Sequence, residues 1–313
     1  MTAPNLFPAR RLGALLALAT AAVAALATAA AAPPAEAAKR ASVTAIHGIC
    51  GGRDLCVVDP AKRSVARLAR GTAANPYSGV SATPNGRATA FARGGRVFRA
   101  GPRAAAPRQV GGGITPLISP DGRGVTWRAE IQVQQCDPFG GCAQLQTFAL
   151  FRRWAGEPRP TIVETYSYSS AWWGARIVSQ NTRRGAAGDE ISLLDGEGDP
   201  VRSLTDDPAR SFTSPALSPD GRLLAVISEP LPSGDAELTY RGRVELFDTA
   251  SGRRVRTLTE SGEDDVPIFS PDGRQVAFNR GRDLYVVAAG GDGQARRVAR
   301  DVLLTGPSWA RVR

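Results

Sequence analysis

Histidine and lysine are almost absent from this chain. Of 313 residues only His47 is a histidine, and only Lys39 and Lys62 are lysines. A Ser-His-Asp triad would have to place His47 at the centre, yet it stands beside the first hairpin, and no Gly-x-Ser-x-Gly stretch supplies a nucleophile elbow. A structural or surface histidine is the expectation, and catalytic residues are set at none. Beyond the first forty residues no apolar run is long enough to span a bilayer, so the mature chain should lack a membrane span. No cysteine lies near the expected cleavage region, which argues against a lipid-anchored lipoprotein.

What is abundant is arginine, with 37 of the 39 basic residues and a net charge of +10. The arginines are scattered and accompany much Ala and Gly, a compositional bias rather than selection for phosphate contacts, so nucleic acid is not an expected partner. The charge favours weak attraction to anionic cell-surface polymers or lipid headgroups.

The amino terminus reads as an export signal. Arg10 and Arg11 precede an apolar stretch from Leu12 to Ala32, and Pro33-Pro34-Ala35-Glu36-Ala37 follows. Cleavage near Ala32 or Ala37 makes residues 1–37 a signal peptide and 38–313 a single domain in an extracytoplasmic space. An uncleaved anchor is the alternative, and Sec and twin-arginine export both fit.

That domain is organised by Ser-Pro-Asp-Gly-Arg, written at 119–123, 218–222 and 270–274, with a softened copy Thr83-Pro84-Asn85-Gly86-Arg87. Pro sets the second turn position, Asp the third, and Gly takes the left-handed conformation that closes the turn. Ala171-Trp172-Trp173-Gly174 is a fifth, degenerate copy. The turn glycines at 86, 122, 174, 221 and 273 are spaced by 36, 52, 47 and 52 residues. Spacing of about 40 residues with four strands per unit is that of a propeller blade. Each unit has a Pro-containing lead-in such as Pro215-Ala216-Leu217, then second and third strands, then an outer strand such as Val255-Arg256-Thr257-Leu258. The outer strands alternate Arg with apolar residues, as where one face is wet. The first mature strands lack an inner strand, and Pro307-Ser308-Trp309-Ala310-Arg311 is an inner strand with nothing after it. Joining them predicts an all-β, six-bladed β-propeller whose first blade is shared between the two ends, a closure that removes exposed sheet edges.

The stretch Pro-x-apolar-Ser-Pro-Asp-Gly-Arg, best at 215–226 and 267–278, together with Asp59, Asp195 and Asp248 after third strands, resembles the TolB-like β-propellers. The resemblance covers essentially the whole mature chain and implies architecture more than activity. TolB has an additional α/β domain before its propeller, whereas here the propeller starts just after the signal. TolB's partner interactions are therefore not carried over.

Cys50-x5-Cys56 and Cys136-x5-Cys142 flank tight turns between second and third strands. In an exported protein they read as two local disulfides, and the spacing is wrong for a zinc knuckle. Acidic residues gather where one blade passes to the next: Glu164, Asp206, Asp207, Glu263, Asp264, Asp265 and Asp301. These connections share one face around the channel, a rim able to hold a cation or a basic peptide, with solvated loop charge as the competing reading. Tyr168 and Trp172 belong to an aromatic cluster that could stack on a ligand or pack between blades. Asp195-Gly196-Glu197-Gly198-Asp199 faintly suggests calcium ligands, though an ordinary turn explains it better. No metal and no cofactor are expected. The function implied is an exported, monomeric, non-catalytic binding propeller for an envelope protein or peptide, with a metal-assisted hydrolase or lyase sited in the channel as the alternative.

Overall fold

A computed structural model describes residues 44–101, 106–136, 139–165, 168–182, 187–195, 198–205, 207–231, 242–260, 262–291 and 293–311. The unit Ser42–Arg313 is one body of strands, and the expected signal peptide lies outside the described residues. Its strands form six antiparallel sheets in strict chain order, a six-bladed β-propeller. Among the described residues no helix is long and apolar enough to cross a membrane.

Closure is as expected. Blade one takes Thr44–Cys50, Asp54–Asp59 and Ser64–Ala69 from the front of the chain. Its inner position is filled by Val302–Leu303 and Trp309–Arg311, both paired to Thr44–Cys50. The inner strand is in two pieces, separated by residues 304–308, among them Pro307, which has no N–H to give the ladder. His47 joins the seam: its N–H donates to Ser308 O at 3.0 Å, and Nδ1 lies 3.1 Å from the same oxygen. Burial lowers its pKa, with the Ser308 contact acting the other way, so the ring is a neutral structural group.

The repeated turn explains its own sequence. Ser218 Oγ donates to Asp220 Oδ1 at 2.6 Å and accepts the Leu223 N–H at 2.9 Å, while Asp220 Oδ1 also accepts the Arg222 N–H. Ser270 and Asp272 repeat this network, and Thr83 with Asn85 reproduces it in the softened copy. Gly221 closes the turn at φ 71°, where a side chain would be strained. The Ser218 hydroxyl first, and the Arg222 amide second, hold Asp220 below the usual carboxylate range. Asp195 Oδ1 caps its turn by accepting the Gly198 and Asp199 N–H groups, the ordinary-turn reading of that acidic run. Residues 196–197 lie outside the described residues.

The core consists of sheet faces stacked blade on blade. Ile46 and Val58 of blade one pack with Ile268, Leu284 and Val286 of blade six, and Val178 and Ile191 of blade four with Phe212 and Phe247 of blade five. The outer strands depart from expectation. Pro200–Ser203 is exposed at every position, and Val201, Val255 and Leu68 are all exposed. Blades diverge with distance from the axis, which leaves these outer strands open, whereas Val163 of blade three and Val298 and Ala299 of blade six stay buried against the next blade.

Blade three is exceptional. Its second and third strands, Gly124–Cys136 and Cys142–Trp154, are each 13 residues long. Their neighbours Ile114–Ile118 and Thr161–Thr165 pair only with Val125–Arg128 and Ala149–Arg152. The rest is a two-stranded arm reaching about 20 Å past the blade at ~3.3 Å per residue. Cys136 and Cys142 face each other at its end as a disulfide, and Phe139 at the tip is 97 % exposed. The other disulfide, Cys50–Cys56, sits within blade one, where Cys56 is buried. The two bonds should therefore behave differently. Replacing Cys50 and Cys56 by Ala should cost about 2 kcal/mol or more, from a short loop plus lost packing. Replacing Cys136 and Cys142 should leave the propeller's melting unchanged and instead raise proteolytic cutting within the arm. Thermal melts and limited proteolysis of both double variants check this, and equal destabilisation would contradict the assignment.

Candidate functional site

In four-stranded antiparallel blades, the second-to-third hairpins and the outer-to-inner connections lie on one face, and the Ser-Pro-Asp-Gly turns lie on the other. The arm, both disulfides and the acidic connections therefore share a face. On it the channel opens as a cavity of about 280 Å3. Its wall takes Thr115 and Arg128 from blade three, Ser169 from blade four, Ser214 from blade five, Asp265 from blade six and Thr305 from the closing segment.

A backbone irregularity repeated around the ring brings these residues to the mouth. Thr115, Ser214 and Val266 each precede the lead-in proline, and their φ values are 47°, 53° and 45°. The left-handed region is rare for such residues, and each marks a register shift in the inner strand. In these three blades the shifted residue lines the channel mouth. Side chains satisfy the freed amides: Ser214 N–H donates to Ser169 Oγ at 3.1 Å and Val266 N–H to Asp265 Oδ1 at 2.7 Å. Val80 N–H likewise donates to Thr305 Oγ1 across the seam at 2.9 Å.

The mouth is electrically two-sided. Arg128 Nε donates to Thr115 Oγ1 at 3.1 Å, Nη1 donates to Tyr168 O, and the guanidinium stacks over Phe148 of the arm at 5.5 Å. Burial lowers its pKa, and it makes no ion pair among the described residues. Opposite stands Asp265, whose Oδ1 also accepts the Ser214 hydroxyl at 3.1 Å. Its field reaches Glu229: burial first, then the like charge of Asp265, raises the Glu229 pKa, against a smaller pull from Arg210.

Of the predicted rim, Asp265 and Tyr168 line this mouth. Asp264, next in sequence, is fully buried and holds Arg280 at 2.7 Å, while Asp301 holds Arg282. Glu164 accepts from Ser179 Oγ, and Asp207 caps its own turn through the Ala209 N–H. Glu263 is exposed and makes an isolated backbone bridge to Gly242. Asp206 lies outside the described residues. Trp172 is at the opposite mouth, buried between blades three and four, with Nε1 donating to Leu117 O at 3.3 Å. Sequence reasoning missed Arg128, Ser169 and Ser214. The repeated Xaa-Pro pairs at 115–116, 214–215 and 266–267 were the available signal, since the residue before each proline marks the channel wall.

Residues 233–307 match the family profile of the dipeptidyl peptidase IV (DPP IV) N-terminal region. A TolB homologue of Chlorobium chlorochromatii (strain CaD3) is 29% identical over 151 residues, covering 37% of this chain and 34% of the homologue. The match thus spans about a third of that relative's length. The structure of a putative TolB from Agrobacterium tumefaciens superposes with a TM-score of 0.56 at 18% identity, over 84% of this chain and 92% of that one. The chain has the fold of the TolB-like β-propellers. An oligogalacturonate lyase from Vibrio parahaemolyticus shares the fold at a TM-score of 0.51 and 10% identity, over 82% and 79% of the two chains. Similar propellers therefore include enzymes. In this TolB-like propeller the mouth offers hydroxyls, one guanidinium and one carboxylate, and His47 is locked in the seam of blade one. Among the described residues no group of three or more His, Cys, Asp or Glu side chains is placed to hold a metal ion.

Proposed function

We propose that this propeller is an exported, non-catalytic binding module that holds a protein or peptide of the cell envelope at the channel mouth. One observation carries the reading: a strained residue in each of three inner strands turns toward one cavity, where Arg128 and Asp265 present opposite charges. Backbone strain of this kind clusters at ligand-binding sites, and here it recurs at one level in three blades. A basic side chain of the partner is received by Asp265, on the side where Glu229 adds negative field, and a carboxylate by Arg128. The arm stands over the same face, and its exposed Phe139 is an apolar contact for a partner too large for the cavity. Two disulfides and the Arg10-Arg11 leader support an extracytoplasmic site of action.

The test is capture from an envelope extract on immobilised mature protein, run beside Arg128→Gln and Asp265→Asn. A stoichiometric partner should be retained by the unaltered protein and lost, by about tenfold or more in affinity, from both variants. Equal retention by all three would place binding elsewhere. Bound metal together with turnover of an ester or polysaccharide would replace this reading with a channel-sited hydrolase or lyase.

A further inference from the structure

The arginine excess has a structural focus on the face opposite that mouth. Between blades two and three a second cavity of about 290 Å3 is lined by Arg99, Arg108, Arg123 and Arg153, with Trp154 as part of its wall. Among the described lining residues Glu157 is the one carboxylate, and its Oε2 is engaged by the Trp154 N–H at 2.7 Å. A compositional bias explains the number of arginines in the chain. It does not explain why four meet at one concavity.

Two of the four are fixed without being neutralised. Arg99 donates Nε and Nη2 to Gly122 O at 3.0 and 2.7 Å. Arg153 donates to the Glu157, Val110 and Pro158 carbonyls at 3.1, 3.0 and 3.1 Å. Neutral carbonyl acceptors orient a guanidinium and leave its charge uncompensated. Arg108 and Arg123 are exposed, and neither side chain has a hydrogen bond or an ion pair among the described residues, though the charge of Asp121 is near enough to Arg123 to be drawn to it. The cavity therefore has two preset charges and two free arms able to close on an oxyanion. The planar fork of arginine suits phosphate oxygens, which it can grip in pairs. A volume of this size corresponds to about ten waters at roughly 30 Å3 each, more than a bare phosphate fills. The remainder lies beside Trp154, a half-buried ring that also meets Trp172 at 5.2 Å and the Arg152 guanidinium at 5.9 Å, and whose part lining the cavity suits the carbon frame of a sugar.

We propose that this cavity binds a phosphate carried on a sugar or polyol, with the phosphate on Arg108 and Arg123 and the carbon frame against Trp154. The test is titration calorimetry at low salt with glucose 1-phosphate, inorganic phosphate, glucose and a poly(glycerol phosphate) chain. Glucose 1-phosphate or the polymer should bind with a dissociation constant of about 1 mM or tighter, and inorganic phosphate and glucose about tenfold or more weaker. The double variant Arg108→Gln/Arg123→Gln should lose at least about tenfold in affinity for the phosphate ligands while melting as the parent does. Tighter binding of the polymer per phosphate would assign the site to a phosphodiester polymer, and tighter binding of glucose 1-phosphate to a free sugar phosphate. Equal affinity in the double variant, binding of glucose as strong as that of its phosphate, or no binding of either phosphate ligand would overturn the proposal.

Discussion

A chain ending at Gly306 should show no cooperative melting transition. The missing residues supply the pairing Thr44–Arg311, Ala45–Ala310 and Ile46–Trp309, which is the inner edge of blade one. They also supply the carbonyls of Pro307 and Ser308, which accept from Ala82 and His47, and the Arg311 N–H, which donates to Pro84 O. Blades one and two are thus tied through the same few residues. Trp309 adds a buried indole to the cluster joining blades one and six. Net domain stability is about 5–15 kcal/mol, and losing a buried Trp alone costs about 3–5 kcal/mol. Adding the lost strand and its orphaned partners takes the total past what a ring of this size can withstand. Trp309→Ala alone leaves the pairing intact, and should fold but melt about 6–20 °C lower. Circular dichroism melts of both chains check the ordering. A truncated chain with a transition like the parent's would show that the seam is not what closes the ring.

The ring was legible in the sequence because its information is local and repeated. A serine, a proline, an aspartate and a glycine within five residues specify a turn whose side chains satisfy its own amides, and three such copies, a softened and a degenerate one, with the blade shared between the two ends, give the count of six. The seam was legible because the two ends lacked complementary strands. The outer strands misled for a physical reason. Val201 and Val255 alternate with arginines as half-buried strands do, yet alternation cannot report how far a neighbouring blade has splayed away. The length of the blade-three arm was equally hidden, since strand length depends on what pairs alongside. The site was least legible. Arg128 and Asp265 stand 137 positions apart and meet only because the ring brings blades three and six around one axis. Asp264 and Asp265 look alike as adjacent acids in one connection, and only the strand register separates the buried one from the one at the channel.

That separation gives the second large effect. Asp264→Ala should destabilise the propeller by about 3 kcal/mol, whereas Asp265→Asn should leave stability within about 0.5 kcal/mol. Asp264 is buried and takes both forks of Arg280, Nε to Oδ1 at 2.7 Å and Nη2 to Oδ2 at 3.3 Å. Without it, a guanidinium packed over Tyr285 and Phe278, with 28% of its side-chain surface exposed, loses its counter-charge. That residual exposure sets the cost near the lower end for a broken buried pair. Asp265→Asn keeps an amide oxygen to accept the Val266 N–H and the Ser214 hydroxyl, so the left-handed kink survives while the charge facing the channel goes. Replacing the pair together, Asp264→Ala with Arg280→Met, should recover most of the lost stability, because an apolar substitute no longer needs a counter-ion. Urea denaturation of Asp264→Ala, Arg280→Met and their double variant gives the coupling directly, with Asp265→Asn measured beside them. If Asp265→Asn proved the more destabilising, the carboxylate at the channel would be a structural group and the buried pair incidental. If both variants melted as the parent does, Asp264 would have to be solvent-reachable, and the register that sets Asp265 on the channel wall would be wrong by one residue.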